Sequence, residues 1–163
     1  MEIRPARNKD WPRIIAIYNQ AIDDGYCTAD TEYVSLESRI DWFKIHQNEL
    51  LPILVICDEN GIAGWSSLSS FRPGRKALKK TVEISYYLDR DCRGKGYGKA
   101  LMAGTIDAAQ KLGHEYLFAI LLEINAISVN LLKKFGFEQW GHMPEVADFG
   151  DRRSGLLIYG RKI

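Results

Sequence analysis

The chain has 163 residues, 46% of them hydrophobic and 26% charged, the proportions of an ordinary soluble globular domain able to bury a sizeable core. A formal net charge of +1 speaks against a general nucleic-acid binder, and no apolar run approaches the roughly 20 residues of a membrane span. The three cysteines, Cys27, Cys57 and Cys92, are too scattered for a disulfide framework or a metal quartet and read as reduced cytosolic thiols, two of them packing in the core. Met1–Arg4 opens without the pattern of a signal peptide, so a cytoplasmic protein without a metal site is expected. His46, His114 and His142 lie far apart in sequence and read as surface or structural groups.

Met1–Ala6 is a short strand candidate, followed by Asp10 as a helix N-cap and Pro12 in the first turn. Ile14, Ile15, Tyr18, Ala21 and Ile22 mark the apolar face of that helix, and Ser35 caps a second one with Ile40 and Phe43 facing inward. Ile53–Cys57 and Ile62–Ser69 form a hairpin about Glu59-Asn60-Gly61. Phe71–Lys80 is a basic loop, and Thr81–Asp89 is a strand with Val82, Ile84, Tyr86 and Leu88 on one face. A helix is expected over Lys99–Leu112, a strand over Tyr116–Leu122, and a short helix with Ile127, Leu131 and Phe135 on one side, stopped at Gly136. Phe137–Trp140 and Leu156–Arg161 complete the strands. The order strand, two helices, three strands, helix, strand, helix, two strands makes a single α/β domain over residues 1–163, a mixed sheet covered by helices.

Between the Thr81–Asp89 strand and the next helix lies Arg93-Gly94-Lys95-Gly96-Tyr97-Gly98-Lys99. A glycine loop entering a helix exposes backbone N–H groups at the positive end of the helix dipole, which suits a phosphate. A P-loop would need Ser or Thr after Gly98-Lys99, where Ala100 stands, and a dinucleotide fingerprint fails because Lys99 and Leu101 fall where the last glycine belongs. The spacing that remains is Arg-x-x-Gly-x-Gly at Arg93, Gly96 and Gly98.

That spacing resembles the pyrophosphate loop of the GCN5-related N-acetyltransferases (GNAT). A second stretch, Asn125-Ala126-Ile127-Ser128 followed by Phe135-Gly136-Phe137, is similar to the family's Asn-x-x-Ala/Ser…Gly-Phe segment. The resemblance implies a GNAT-type fold, with a mixed, mostly antiparallel sheet and helices on both faces, and acetyl-CoA as co-substrate. It places the coenzyme on Tyr87, Leu88, Arg93, Gly94, Lys95, Gly96, Tyr97, Gly98, Lys99, Asn125 and Ser128. It also implies a bulge or splay in the Thr81–Asp89 strand, freeing an N–H near Tyr87 or Leu88 to polarise the thioester carbonyl.

Within the family the chain looks most like the phosphinothricin and L-amino-acid N-acyltransferases. Ile3-Arg4-Pro5-Ala6, Ile17-Tyr18-Asn19, Arg39 with Trp42-Phe43, Ser69-Ser70-Phe71-Arg72-Pro73 and Thr81–Leu88 carry that likeness. It implies Glu83 as the base that takes the amine proton, and an acceptor pocket drawing on Tyr33, Phe71, Arg72, Tyr86 and Phe149, with Arg72 holding an amino-acid carboxylate. The alternative role of Glu83 is a pairing with a basic neighbour. Two departures bear on chemistry. Leu132 stands where the family has Tyr or this subfamily His to protonate the thiolate, and Phe149 stands where herbicide-acetylating members carry His. The resemblance implies a homodimer and a small-molecule amine acceptor, with no nucleic-acid or membrane partner. The competing activities are a peptide or protein N-terminal acetyltransferase and a non-catalytic coenzyme A-binding module.

Overall fold

The computed structural model describes residues 1–163. In chain order the elements are β1 (Glu2–Pro5), α1 (Trp11–Asp24), α2 (Leu36–Ile45), β2 (Ile53–Asp58), β3 (Gly61–Ser70), β4 (Thr81–Leu88), α3 (Tyr97–Lys111), β5 (Tyr116–Leu122), α4 (Ala126–Lys134), β6 (Glu138–Asp148) and β7 (Arg153–Lys162). The strands form one seven-stranded sheet in the order β1-β2-β3-β4-β5-β7-β6. Only β4 and β5 run parallel; the other neighbours are antiparallel.

Strand alternation sorts the core into two faces. Leu68, Val82, Ile84, Leu117, Ala119 and Leu121 meet Met102, Ile106 and Ala109 of α3 and Leu132 of α4. On the other face, Ile53, Val55 and Trp65 meet Ile14 and Ile17 of α1 and Phe43 of α2. Each fully buried aliphatic side chain contributes roughly 1.5–3 kcal/mol. Trp65 Nε1–H donates to the Ile14 carbonyl at 3.1 Å, so the large ring is buried without leaving a polar group unpaired.

Several local expectations are met and others corrected. Ser35 caps α2 by accepting from Ser38 N–H at 3.2 Å. Asp10 stands at the α1 N-cap position but does not cap it: its buried carboxylate takes the Arg4 guanidinium and the Arg7 N–H, both at 2.7 Å. A charged donor outcompetes a neutral helix N–H for that carboxylate. Ile127 is 72% exposed rather than inward, and Leu132 is the buried residue of α4. Cys57 and Cys92 pack against core clusters while staying half-buried. Edge strand β6 runs much further than Phe137–Trp140; Pro144 and left-handed Glu145 (φ 54°) sit in a register shift between Met143 and Ala147. A bulge on an edge strand accommodates a proline that reads as a break in the sequence.

Candidate active site

β4 holds β3 along its length, from Val82 opposite Ser70 to Leu88 opposite Gly64, with no register shift. It holds β5 only from Thr81 to Glu83. Beyond Glu83 the two parallel strands part, so the expected disruption is a splay and not a bulge. Phe71 N–H donates to Thr81 O and Asp89 N–H to Ala63 O, so odd-numbered residues turn their backbone groups towards β3. The Tyr86 and Leu88 N–H groups therefore face the opening, while that of Tyr87 faces β3.

Into this opening runs a cleft of about 570 Å³ on the α3/α4 side. Of the expected coenzyme residues, Tyr87, Leu88, Arg93, Gly94, Gly96, Gly98, Lys99, Asn125 and Ser128 line it. Lys95 and Tyr97 do not: Lys95 is exposed, and Tyr97 turns away to pack on Ile56, Ala63 and Leu101 with its hydroxyl donating to Asp58. Gly96, at φ 89°, is the N-cap of α3 and supplies no side-chain cap. The Tyr97, Gly98 and Lys99 N–H groups thus lack intrahelical acceptors at the positive end of a 15-residue helix. Gly94 is also left-handed, at φ 75°, a conformation that a side chain would strain. The cradle fits a pyrophosphate. Asn125 Oδ1 accepts from Ser128 N–H at 3.1 Å, which leaves its amide NH₂ for a ligand.

A second cavity of about 180 Å³ lies on the opposite face of β4, under α1 and α2. Its walls include Tyr18, Arg39, Trp42, Trp65, Ser67, Ser69, Ser85 and Tyr87. Ser85 and Tyr87 also line the coenzyme cleft, so the two spaces meet at β4. Arg39 is fixed by Asp30 at 2.7 Å and stands over the Tyr18 ring; Tyr18 Oη donates to the same Asp30 at 2.7 Å. The Trp65 and Tyr87 rings meet at 4.8 Å, tilted by 36°. Burial drives the Tyr87 phenol well above its ordinary pKa, so it stays protonated.

Glu83 shares its strand face with Ser85 and Tyr87, directly opposite Ser69 on β3 and Phe118 on β5. It is half-buried, and burial alone raises its pKa; no basic side chain pairs with it. The alternative role as an ion-pair partner is therefore not realised. Ser69 is itself oriented. Buried His46 donates from Nδ1 to the Trp42 carbonyl at 2.8 Å, so neutral Nε2 accepts from Ser69 Oγ–H at 3.0 Å. Burial lowers the His46 pKa and favours this neutral form. With its proton committed to His46, Ser69 Oγ presents lone pairs to the small cavity.

The structure does not gather the expected acceptor residues there. Phe71 packs on Phe118 at 4.9 Å, beside Glu83. Arg72, at φ 49°, lies with Phe71 along a separate groove of about 310 Å³ in the β3–β4 loop. Tyr33 is exposed and donates to Asp23, Tyr86 lines the coenzyme cleft, and Phe149 lies under the Arg152 guanidinium. The cavity is built instead from Arg39, Trp42, Trp65 and three serines. Only Arg39 and Trp42 left a local signal, a spacing of three that puts both on one face of α2.

A family model described as an acetyltransferase (GNAT) domain matches residues 1–138. YwnH of Bacillus subtilis is 41% identical over 164 residues, with 100% of this chain and 99% of that protein covered. An L-methionine sulfoximine/L-methionine sulfone acetyltransferase of Pseudomonas aeruginosa is 37% identical over 145 residues, covering 88% of this chain and 84% of that one. The crystal structure of a GNAT superfamily phosphinothricin acetyltransferase from Sinorhizobium meliloti, in complex with acetyl-CoA, superposes with a TM-score of 0.92 at 28% identity, covering 99% of this chain and 88% of that one.

Proposed function

The chain belongs to the GNAT acetyltransferases, an acetyl-CoA-dependent N-acetyltransferase for small-molecule amines, and from that premise we propose that its acceptor is a free amino acid or a close analogue. The observation that carries this reading is the meeting of the two cavities at Ser85 and Tyr87, with Glu83 unpaired on the acceptor side. The relatives' amino-acid analogues support the choice of acceptor. So does the size of the small cavity, about 180 Å³, which suits a compact molecule better than a peptide.

The chemistry follows from the geometry. The acceptor amine enters from the α1/α2 side and the thioester from the opposite side of β4. Leu88 N–H points into the splay, where it can polarise the thioester carbonyl and hold the tetrahedral oxyanion. Glu83 accepts the amine proton directly or through one water. Its raised pKa brings it nearer to the α-amine value of about 8, which eases that transfer. Arg39 supplies a fixed positive charge at the cavity wall for the carboxylate, a role for which Arg72 is less well placed. The whole chain acts as one domain in the cytoplasm. A homodimer is supported by exposed Trp140, Met143 and Val146 on edge strand β6.

Thiol release from acetyl-CoA with free amino acids, their amides and short peptides tests the proposal. Free amino acids are expected to turn over best. Arg39→Ala is expected to raise KM for the acid far more than for its amide, and Arg72→Ala to raise both little. Turnover confined to peptides would overturn the small-acceptor reading.

A further inference from the structure

We propose that the Ser69 hydroxyl is the dock for the acceptor's amino group, and that His46 is the positioning residue that keeps its lone pairs turned to that group. The proposal rests on the amino-acid acceptor reading above and adds which residues receive the nitrogen end of that molecule.

Ser69 and Glu83 stand directly opposite each other on β3 and β4, on one face of the sheet. Side chains so placed start about 5 Å apart at Cβ. A serine there would ordinarily donate its proton to the carboxylate. Ser69 does not, because that proton goes to His46 Nε2 at 3.0 Å. His46 cannot return one: its Nδ1–H is held by the Trp42 carbonyl at 2.8 Å, and the ring is buried. Glu83 is left with burial as the only influence on its carboxyl. Two half-buried acceptors, Ser69 Oγ and the Glu83 carboxylate, thus share one face with no donor supplied between them. Acceptors shielded from water and left without a donor are costly, so the arrangement selects a ligand rich in N–H. An α-ammonium group is such a ligand.

One helix face serves both ends of the acceptor. Arg39, Trp42 and His46 recur at spacings of three and four along α2 and its C-cap. Arg39 lines the cavity wall and meets the carboxylate, whereas His46 stands behind Ser69, its ring 4.3 Å from that of Trp42. The site is therefore positive at Arg39 and electron-rich at Ser69 and Glu83, the order in which an α-amino acid carries its own charges. Of the N–H bonds of the docked ammonium, the one to Ser69 survives in the product amide. The proton facing Glu83 leaves before attack, and the lone pair it exposes forms the C–N bond. The remaining proton leaves to solvent as the C–S bond breaks, and the thiolate takes a proton from water.

Calorimetry on the complex with coenzyme A tests this. The probes are L-methionine sulfone and its desamino counterpart, in which hydrogen replaces the amine. Ser69→Ala is expected to weaken binding of the amino acid by about 10–100-fold and of the desamino acid by less than about twofold. His46→Phe keeps a ring against Trp42 and frees the serine proton. It is expected to reproduce that selective loss, and the double variant to bind little worse than either single one. In turnover the losses are expected in KM for the amino acid, with KM for acetyl-CoA unchanged. Equal losses for the two probes overturn the dock, as does wild-type affinity in Ser69→Ala. Fully additive losses in the double variant overturn the positioning role of His46. If His46→Phe folds poorly, Ser69→Ala alone still decides whether the amine docks there. A wild type that binds neither probe overturns the amino-acid reading and the dock with it, whereas one that binds both equally overturns the dock alone.

Discussion

Arg93 Nη1 lies 2.6 Å from Asp24 Oδ2, joining the phosphate loop to the last residue of α1. An aspartate at a helix C-terminus opposes the dipole, and Arg90, at 2.9 Å from the same side chain, helps to offset that cost. Arg93 spends one N–H on Asp24 and directs another to the Leu88 carbonyl at 3.4 Å, leaving the rest of its fork to the cleft.

Asp24 is thereby a positioner of Arg93. Asp24→Asn is expected to weaken acetyl-CoA binding severalfold, and Arg93→Ala to weaken it more. Calorimetry on both single variants and the double variant checks this. The double variant is expected to bind little worse than Arg93→Ala alone, because Asp24 acts through Arg93; fully additive losses would separate the two.

Glu83→Gln is expected to lower kcat by about 10²–10⁴-fold, with the deficit visible across the pH range in which the wild type works. Stability should move the other way. The folded pKa of Glu83 is raised, so the folded chain binds its proton more readily than the unfolded one, and stability falls as pH rises from the unfolded to the folded value. At neutral pH Glu83→Gln should melt at or above the wild-type temperature, and the gain should vanish as pH falls below the ordinary glutamate range. Melting curves at neutral and acid pH read this directly.

His46 carries the opposite sign. Its folded pKa is depressed by burial, so its contribution is present above the unfolded value of about 6.5 and is lost as pH falls through and below it. Urea titrations between about pH 5 and 8 should show this limb in wild type and its loss in His46→Gln. Ser69→Ala is expected to raise the acceptor KM, while Ser69→Thr, which keeps the hydroxyl, restores it.

Leu132 is fully buried between α4 and the sheet. Leu132→Ala should cost about 2–5 kcal/mol of stability through the cavity it leaves. Acetyl transfer by the fraction that remains folded should change much less. Chemical denaturation paired with single-turnover rates separates the two effects.

The sequence by itself determined the element order, the hairpin at Gly61, the β4 alternation and the glycine loop. Each rests on neighbours in the chain: a period of two, a period of 3.6, or the conformational freedom of Gly94 and Gly96. The position of Glu83 on the face opposite Val82 and Ile84 was legible for the same reason. The tertiary structure decided what that face meets. Tyr18, Arg39, Trp65 and Ser85 come from four elements and make one cavity only because α1 and α2 dock on the β3–β4 register. Arg72 and Tyr33 carry suitable chemistry, yet loop backbone turns them elsewhere, and no local pattern specifies such a direction. Likewise, nothing near Tyr86 in the chain announces that its hydroxyl lacks a partner. Burial and hydrogen bonding are properties of the packed whole, settled when α4 closes over β4 and β5 and shuts that oxygen off from solvent.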